Sequence, residues 1–153
     1  MEQGMFKVEM KDVDLDKTVN EVVQNIQAQA PFNSREIRIN RCGAMVRGDE
    51  TLCWSVLTNL LKNALEAGGD YDVVRITCAA GRDTAFVEIH NRQAVPAEVR
   101  EHFFEKYYTH GKRFGFGLGC YSAKLMTETM NGTVSMRTSE EEGTTLKVVL
   151  EKA

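Results

Sequence analysis

Strand and helix signals alternate along this chain in a way that predicts an α/β (α+β) two-layer sandwich. One mixed, mostly antiparallel sheet is expected to carry three main helices on one face. Three observations predict it. Apolar residues recur at helical spacing in three separate long segments. Two pairs of alternating segments are joined by short polar turns, which is the mark of hairpins. The order strand, helix, strand, helix, hairpin, loop, helix, hairpin lacks the regular βαβ alternation of a doubly wound sheet.

Taken in order, Met5–Met10 alternates like a short edge strand. Asp14 is placed to cap a helix in which Leu15, Val19, Val22, Val23, Ile26 and Ala30 share one side, with Pro31 ending it. Glu36–Asn40 alternates, with Ile37 and Ile39 inward, and reads as a strand. Asp49 is the next cap. Leu52, Val56, Leu57, Leu60, Leu61, Ala64 and Leu65 then form a broad apolar stripe, which Gly68-Gly69 stops. Val73–Ala80 and Thr84–Asn91 read as strands around the turn Gly81-Arg82-Asp83. Ala97–Phe104 is a short helix led by Pro96. Glu105–Phe116 is polar, aromatic and aperiodic, and is read as a loop. Leu118–Met130 is the third long helix, ended by Asn131-Gly132. Thr133–Thr138 and Thr144–Glu151 form the closing hairpin.

At 153 residues the chain suits one domain, spanning 1–153. Its apolar fraction of 42% and charged fraction of 27% are those of a globular protein. A net charge of −3 gives no general case for nucleic acid or an anionic membrane as partner. No run has the apolar length of a membrane span, and Met1–Met10 is too charged for a signal peptide. Cys42, Cys53, Cys78 and Cys120 are far apart in sequence, with no CxxC pair and no neighbouring His. They read as reduced, mostly buried thiols and not as a metal or disulfide set, which fits the cytoplasm.

The segment TNLLKNALEA, Thr58–Ala67, carries the most chemistry. Asn59 and Asn63 lie one turn apart on the same side of the helix. Two neutral amides are a poor choice for a core but suit hydrated Mg²⁺ and a phosphate chain. The Asn63 side-chain oxygen is a hard ligand of the kind that Mg²⁺ accepts beside its waters. Asn59 cannot usefully accept a proton at neutral pH and so disfavours water activation. Glu66 is expected to pair with Lys62 and face solvent. Gly115, Gly117 and Gly119 then open the third helix, where backbone N–H groups and the helix dipole can meet an anion. Lys106, His110, Lys112 and Arg113 make the preceding loop basic, as a phosphate clamp would be.

These motifs resemble those of sensor histidine kinases. NLLKNALEA is similar to their N-box, and Gly48–Leu52 to its usual lead-in. Phe103–Lys112 resembles their F-box and lid, Gly115–Leu125 their second glycine box, and Asn131–Met136 with Glu142–Leu150 their closing hairpin. The order and spacing match over nearly the whole chain. The resemblance implies a Bergerat-fold, ATP-binding catalytic domain and a protein histidine kinase activity. It implies Asn59, Lys62 and Asn63 as catalytic residues, with Asn63 the ligand of Mg²⁺. It implies ATP contacts from Asn59, Asn63, Ala67, His90, Val95, Tyr108, Lys112, Gly115, Gly117, Leu118, Gly119, Thr144 and Thr145. Thr144 or Thr145 would bond the base or a water beneath it. The γ-phosphate would pass to a histidine on a dimerisation domain of the same protein, and from there to a response regulator. No such acceptor is apparent here, since His90, His102 and His110 open no long amphipathic helix. The domain itself would sit in the cytoplasm without entering a membrane, although the whole protein could be a membrane-bound sensor.

The chain departs from the family in the first glycine box, normally DxGxG. Aligned by spacing, the box reads His90-Asn91-Arg92-Gln93-Ala94, followed by Val95-Pro96. His90 then stands where an Asp accepts the adenine amino group, and Arg92 and Ala94 replace the glycines. In Gly115–Gly119, Phe116 replaces the usual hydroxyl residue. Two outcomes stay open. His90 accepts one hydrogen bond in place of the Asp, at a loss of about 1.5–3 kcal/mol, or roughly 10–150-fold in affinity. Alternatively Arg92 fills the adenine slot, leaving a pseudokinase or an interaction module. An ATPase of the chaperone, topoisomerase or mismatch-repair kind is the third reading, and Asn59 in place of a Glu counts against it.

Overall fold

A computed structural model describes residues 7–105 and 119–153. Elements follow in the order β1 (Lys11–Asp14), α1 (Leu15–Gln27), β2 (Glu36–Asn40), β3 (Met45–Gly48), α2 (Glu50–Ala67), β4 (Val73–Ala80), β5 (Thr84–Asn91), α3 (Ala97–Arg100), α4 (Gly119–Thr129), β6 (Thr133–Ser139) and β7 (Gly143–Glu151). Five strands form the main sheet in the order β2-β4-β5-β7-β6. Only the β2–β4 pair is parallel; β4–β5, β5–β7 and β6–β7 run antiparallel. The two-layer α/β class is therefore the observed one, with α1, α2 and α4 as its helical layer.

The core lies where the helices meet the sheet. Val19, Val22 and Ile26 of α1 are buried against it, as is the whole α2 stripe from Leu52 to Leu65. Val74, Ile76, Val87, Ile89, Leu146 and Val148 oppose them from the strands. Burying each Leu or Ile side chain stabilises by about 1.5–3 kcal/mol, so α2, with four fully buried leucines, is the anchor of the layer.

Both helix caps stand as expected. Asp14 Oδ1 accepts the Lys17 N–H at 3.1 Å. Asp49 Oδ1 accepts the Leu52 N–H at 2.9 Å, while its Oδ2 takes the Glu9 N–H at 2.8 Å. One carboxylate thus fixes the start of α2 and the chain leading into β1. At the far end of α4, Asn131 adopts φ 65°, the left-handed conformation that ends helices.

Several boundaries differ from the sequence reading. The first strand is Lys11–Asp14, not Met5–Met10; residues 7–10 are not in a strand and 1–6 lie outside the described residues. It pairs with β3 in a separate two-stranded ribbon, so the single sheet expected is in fact a sheet and a ribbon. Helix α1 ends at Gln27 although Ala30 continues its apolar spacing, because the residue before a proline is pushed out of the helical region. The short helix is Ala97–Arg100, continued by turns through Glu105. No ion pair joins Lys62 to Glu66 among the described residues. The exposed helical pair that forms is Lys124–Glu128, at 4.0 Å. The loop and lid expected over Glu105–Phe116, apart from Glu105, and the start of the third helix at Leu118 lie outside the described residues.

Candidate functional site

Helix α2 buries its apolar stripe and leaves a second side half-buried. Asn59, Lys62 and Asn63 lie on that side, and Ala67 is exposed in the last turn. The two amides are thus held by a rigid helix and remain partly exposed. Gly119 begins α4, and a Cβ placed there would meet nothing within 4 Å. Tyr108, Lys112, Gly115, Gly117 and Leu118, with Lys106, His110 and Arg113, lie outside the described residues.

The end of β5 is decided by strand alternation. Ala85, Val87, Ile89 and Asn91 are buried on the helix side, whereas Phe86, Glu88 and His90 point the other way. Asn91 is 3% exposed. Strand β7 is paired in step: Thr144 is buried opposite Asn91, and Thr145, also buried, stands opposite His90. Thr145 in turn faces Arg137 of β6. His90, Thr145 and Arg137 thus form one row on the outer face of the sheet. There they line a cleft of about 330 Å³ with Ser139 and Glu142. His90 Nε2 lies 2.6 Å from the Glu142 carbonyl oxygen, so its N–H donates to the hairpin turn. The sequence reading aimed His90 at adenine; here its side chain lies on the outer face, away from the helices, and Thr144 and Thr145 likewise fall on opposite faces. Arg92 is exposed and fills no slot in the interior.

Inside, hydroxyls hold the loop that follows β5. Thr144 Oγ1 donates to the Gln93 carbonyl at 2.6 Å. Its one proton is then used, so in the 2.9 Å contact between Thr138 and Thr144 the Thr138 hydroxyl is the donor. Thr138 Oγ1 accepts the Val95 N–H at 2.9 Å. The relay fixes Gln93 to Val95 although the box lacks its glycines. Close approach is supplied from the other side. Gly143 has φ +80°, and a Cβ on it would overlap the Asn91 carbonyl oxygen and stand 2.8 Å from the Arg92 carbonyl carbon. Asn91 directs Nδ2 to the Gln93 carbonyl at 3.5 Å, a marginal bond. That orientation leaves Oδ1 as the acceptor.

A second tie joins this loop to the end of α2. Asp72 Oδ2 accepts the Gly69 N–H at 2.8 Å and the Gln93 amide at 3.2 Å. The Gly69 bond, then Gln93, with Arg92 and Arg35 nearby, hold the Asp72 carboxyl below its ordinary value. Arg35, 6% exposed, donates Nη1 to the Leu65 carbonyl at 2.8 Å. It is a second donor to that carbonyl, which also accepts the Gly68 N–H at 3.3 Å at the end of α2. Sequence reasoning missed Asn91, Thr138, Asp72 and Arg35. The apolar period of Ala85, Val87 and Ile89 was the signal for Asn91; nothing local marks the other three.

Residues 48–153 match the family model described as histidine kinase-, DNA gyrase B-, and HSP90-like ATPase. The chain belongs to that family. Within it, the similarity is to sensor kinases. The sensor protein DegM of a Bacillus species is 32% identical over 138 residues, which is 89% of this chain and 36% of that protein. A mycobacterial sensor histidine kinase, MprB, superposes with a TM-score of 0.83 at 18% identity, covering 94% of this chain and 98% of that one. The catalytic domain of histidine kinase ThkA, in a nucleotide-free form, gives 0.82 at 24% identity, covering 94% and 96%. The two structures establish the fold, and family model and relative together identify an ATP-binding catalytic domain of the histidine kinase type. The chain spans about a third of the length of DegM. No described helix is long and apolar enough to cross a membrane.

Proposed function

We propose that this domain binds ATP in the groove beside α2 and transfers its γ-phosphate to a histidine on another domain of the same protein. A response regulator would receive the phosphate in turn, and the domain would work on the cytoplasmic side. The carrying observation is Asn91. It is buried on the helix side of β5 with Oδ1 free to accept, on the same side of the sheet as the α2 amides. In this reading Asn91, and not His90, takes the adenine amino group. Thr144 holds the loop beneath the base, and Val95 closes its edge.

The donor set suits Mg²⁺: a neutral amide oxygen on a rigid helix is a hard ligand that leaves the ion its waters. Asn63 would hold the ion, which neutralises charge on the phosphates. Asn59 and Lys62 would orient the chain from the same helix, and the turn ending at Gly119 would offer N–H groups to phosphate oxygens. Tyr108, Lys112, Gly115, Gly117 and Leu118 would complete the site. Phosphoryl transfer asks mainly for positioning and charge neutralisation, which such a set can give. Asn59 supplies no base for water, so transfer to a protein group is favoured over hydrolysis.

The test is calorimetric titration of the domain with a non-hydrolysable ATP analogue and Mg²⁺. Saturable binding that Asn63→Ala abolishes supports the reading. Absence of binding by the native domain, with the fold intact by circular dichroism, would leave a protein-interaction module on the same fold.

A further inference from the structure

Asp16, Cys42 and Cys78 come from three separate segments and meet at one place. Asp16 is in the first turn of α1, Cys42 follows β2, and Cys78 is on the helix side of β4. One carboxylate oxygen and the two sulfur atoms all lie within 4.8 Å of one another. The grouping is built by the fold. The β2–β4 ladder ends at Asn40 opposite Thr77, so the chain leaving β2 passes directly beside Cys78. The Asp16 carboxylate then gathers the loop, accepting the N–H of Cys42 at 3.1 Å and of Gly43 at 2.6 Å. Cys78 is 5% exposed, Cys42 and Asp16 are half-buried, and both thiols are free.

We propose that Asp16, Cys42 and Cys78 form a binding site for a thiophilic divalent cation of the Zn²⁺ class, with its fourth position open to solvent. Two thiolates and a carboxylate are the ligand types that such an ion takes, and four-coordinate geometry needs no more than one further oxygen from water. Metal–ligand distances of about 2.0–2.3 Å put neighbouring ligand atoms some 3.5 Å apart in a tetrahedron. The three side chains therefore need to close by about an ångström. Asp16 keeps lone pairs free beyond those used by the two N–H groups. Binding converts two thiols to thiolates and releases two protons, giving a site of net charge −1 from one dication, two thiolates and one carboxylate.

Burial, and then the neighbouring Cys42 and Asp16, push the Cys78 thiol up to about 12, so a cation must displace the Cys78 proton to bind. Affinity must then fall as pH falls, by up to about a hundredfold per unit when both protons are displaced. Cys78 pairs with Val87, four residues from Asn91, a separation of roughly 13 Å along the strand. The cation site and the nucleotide groove can thus be filled independently, and the inference stands whether or not ATP binds.

The experiment is a Co²⁺ titration of the whole chain, oxygen-free and with a phosphine reductant. The expected result is visible d–d absorption of tetrahedral intensity with a thiolate charge-transfer band, saturating at one equivalent and erased by Zn²⁺. Cys42→Ser, a near-isosteric change at a half-buried position, is expected to weaken binding roughly tenfold or more, as is Asp16→Ala. Cys120→Ser is expected to change nothing. Absence of the bands with the thiols verified as reduced would overturn the proposal. So would bands that survive unchanged in a folded Cys42→Ser variant.

Discussion

The two faces of the β5–β7 pair are built from neighbouring residues and have different chemistry. On the helix side, Asn91 and Thr144 are 3% exposed each, and a hydroxyl relay fixes the loop around them. On the outer side, one residue away in each strand, His90 and Thr145 border a solvent-open cleft, and His90 ties down the hairpin turn. Strand period, not position relative to a motif, decides which residue can meet a ligand in the groove. A one-residue shift moves a whole set of side chains to the other face.

The comparison breaks most severely at Gly143, where the two faces share a backbone crossing. Gly143→Ala forces a side chain onto a positive φ and into the Asn91–Arg92 peptide. A loss of roughly 2–4 kcal/mol in urea unfolding is expected. Asn63→Ala, on the helix that faces Asn91, is expected to weaken Mg²⁺-dependent nucleotide binding by roughly 10–100-fold, as loss of a metal-positioning group does; titration with and without Mg²⁺ separates that from loss of the base. Thr138→Val removes the hydroxyl between Val95 and Thr144 and leaves an N–H unpaired. A cost of about 1–3 kcal/mol is expected, read as a lower melting temperature.

The smallest expected effect concerns pH. The Asp72 carboxyl is held below its ordinary value of 3.8 by Gly69 and Gln93. A carboxyl lowered by folding stabilises above its unfolded value, and the gain is lost as pH falls through the folded value. Asp72→Asn should therefore lower the melting temperature slightly near neutrality and flatten the acid limb below about pH 4. An unchanged acid limb would remove Asp72 from the tie between α2 and the loop.

Much of the fold was legible because it rests on period. Strands β2, β4 and β5 place an apolar residue at every second position on one face, and α2 shows seven stripe residues that are all buried. The ribbon was not legible. Strands β1 and β3 have four residues each, too few to show a period, and are held as much by Asp49 and by each other as by burial. Within the site, the α2 amides were legible from helical spacing and the resemblance. Motif spacing brought His90 to the Asp position across a box that had lost its glycines, yet strand alternation turns its side chain to the outer face. The alternation of Ala85, Val87 and Ile89 leads to Asn91. Arg35 and Asp72 act across the fold, on carbonyls and N–H groups far away in sequence, and no local pattern announces such contacts.

The central claim is that Asn91, and not His90, faces the nucleotide. It is tested most directly by titrating Asn91→Ala and His90→Ala with the same ATP analogue. Loss of one neutral hydrogen bond is expected to weaken Asn91→Ala by roughly 2–12-fold, with His90→Ala unchanged. The reverse pattern, a loss in His90→Ala with Asn91→Ala unaffected, would contradict it.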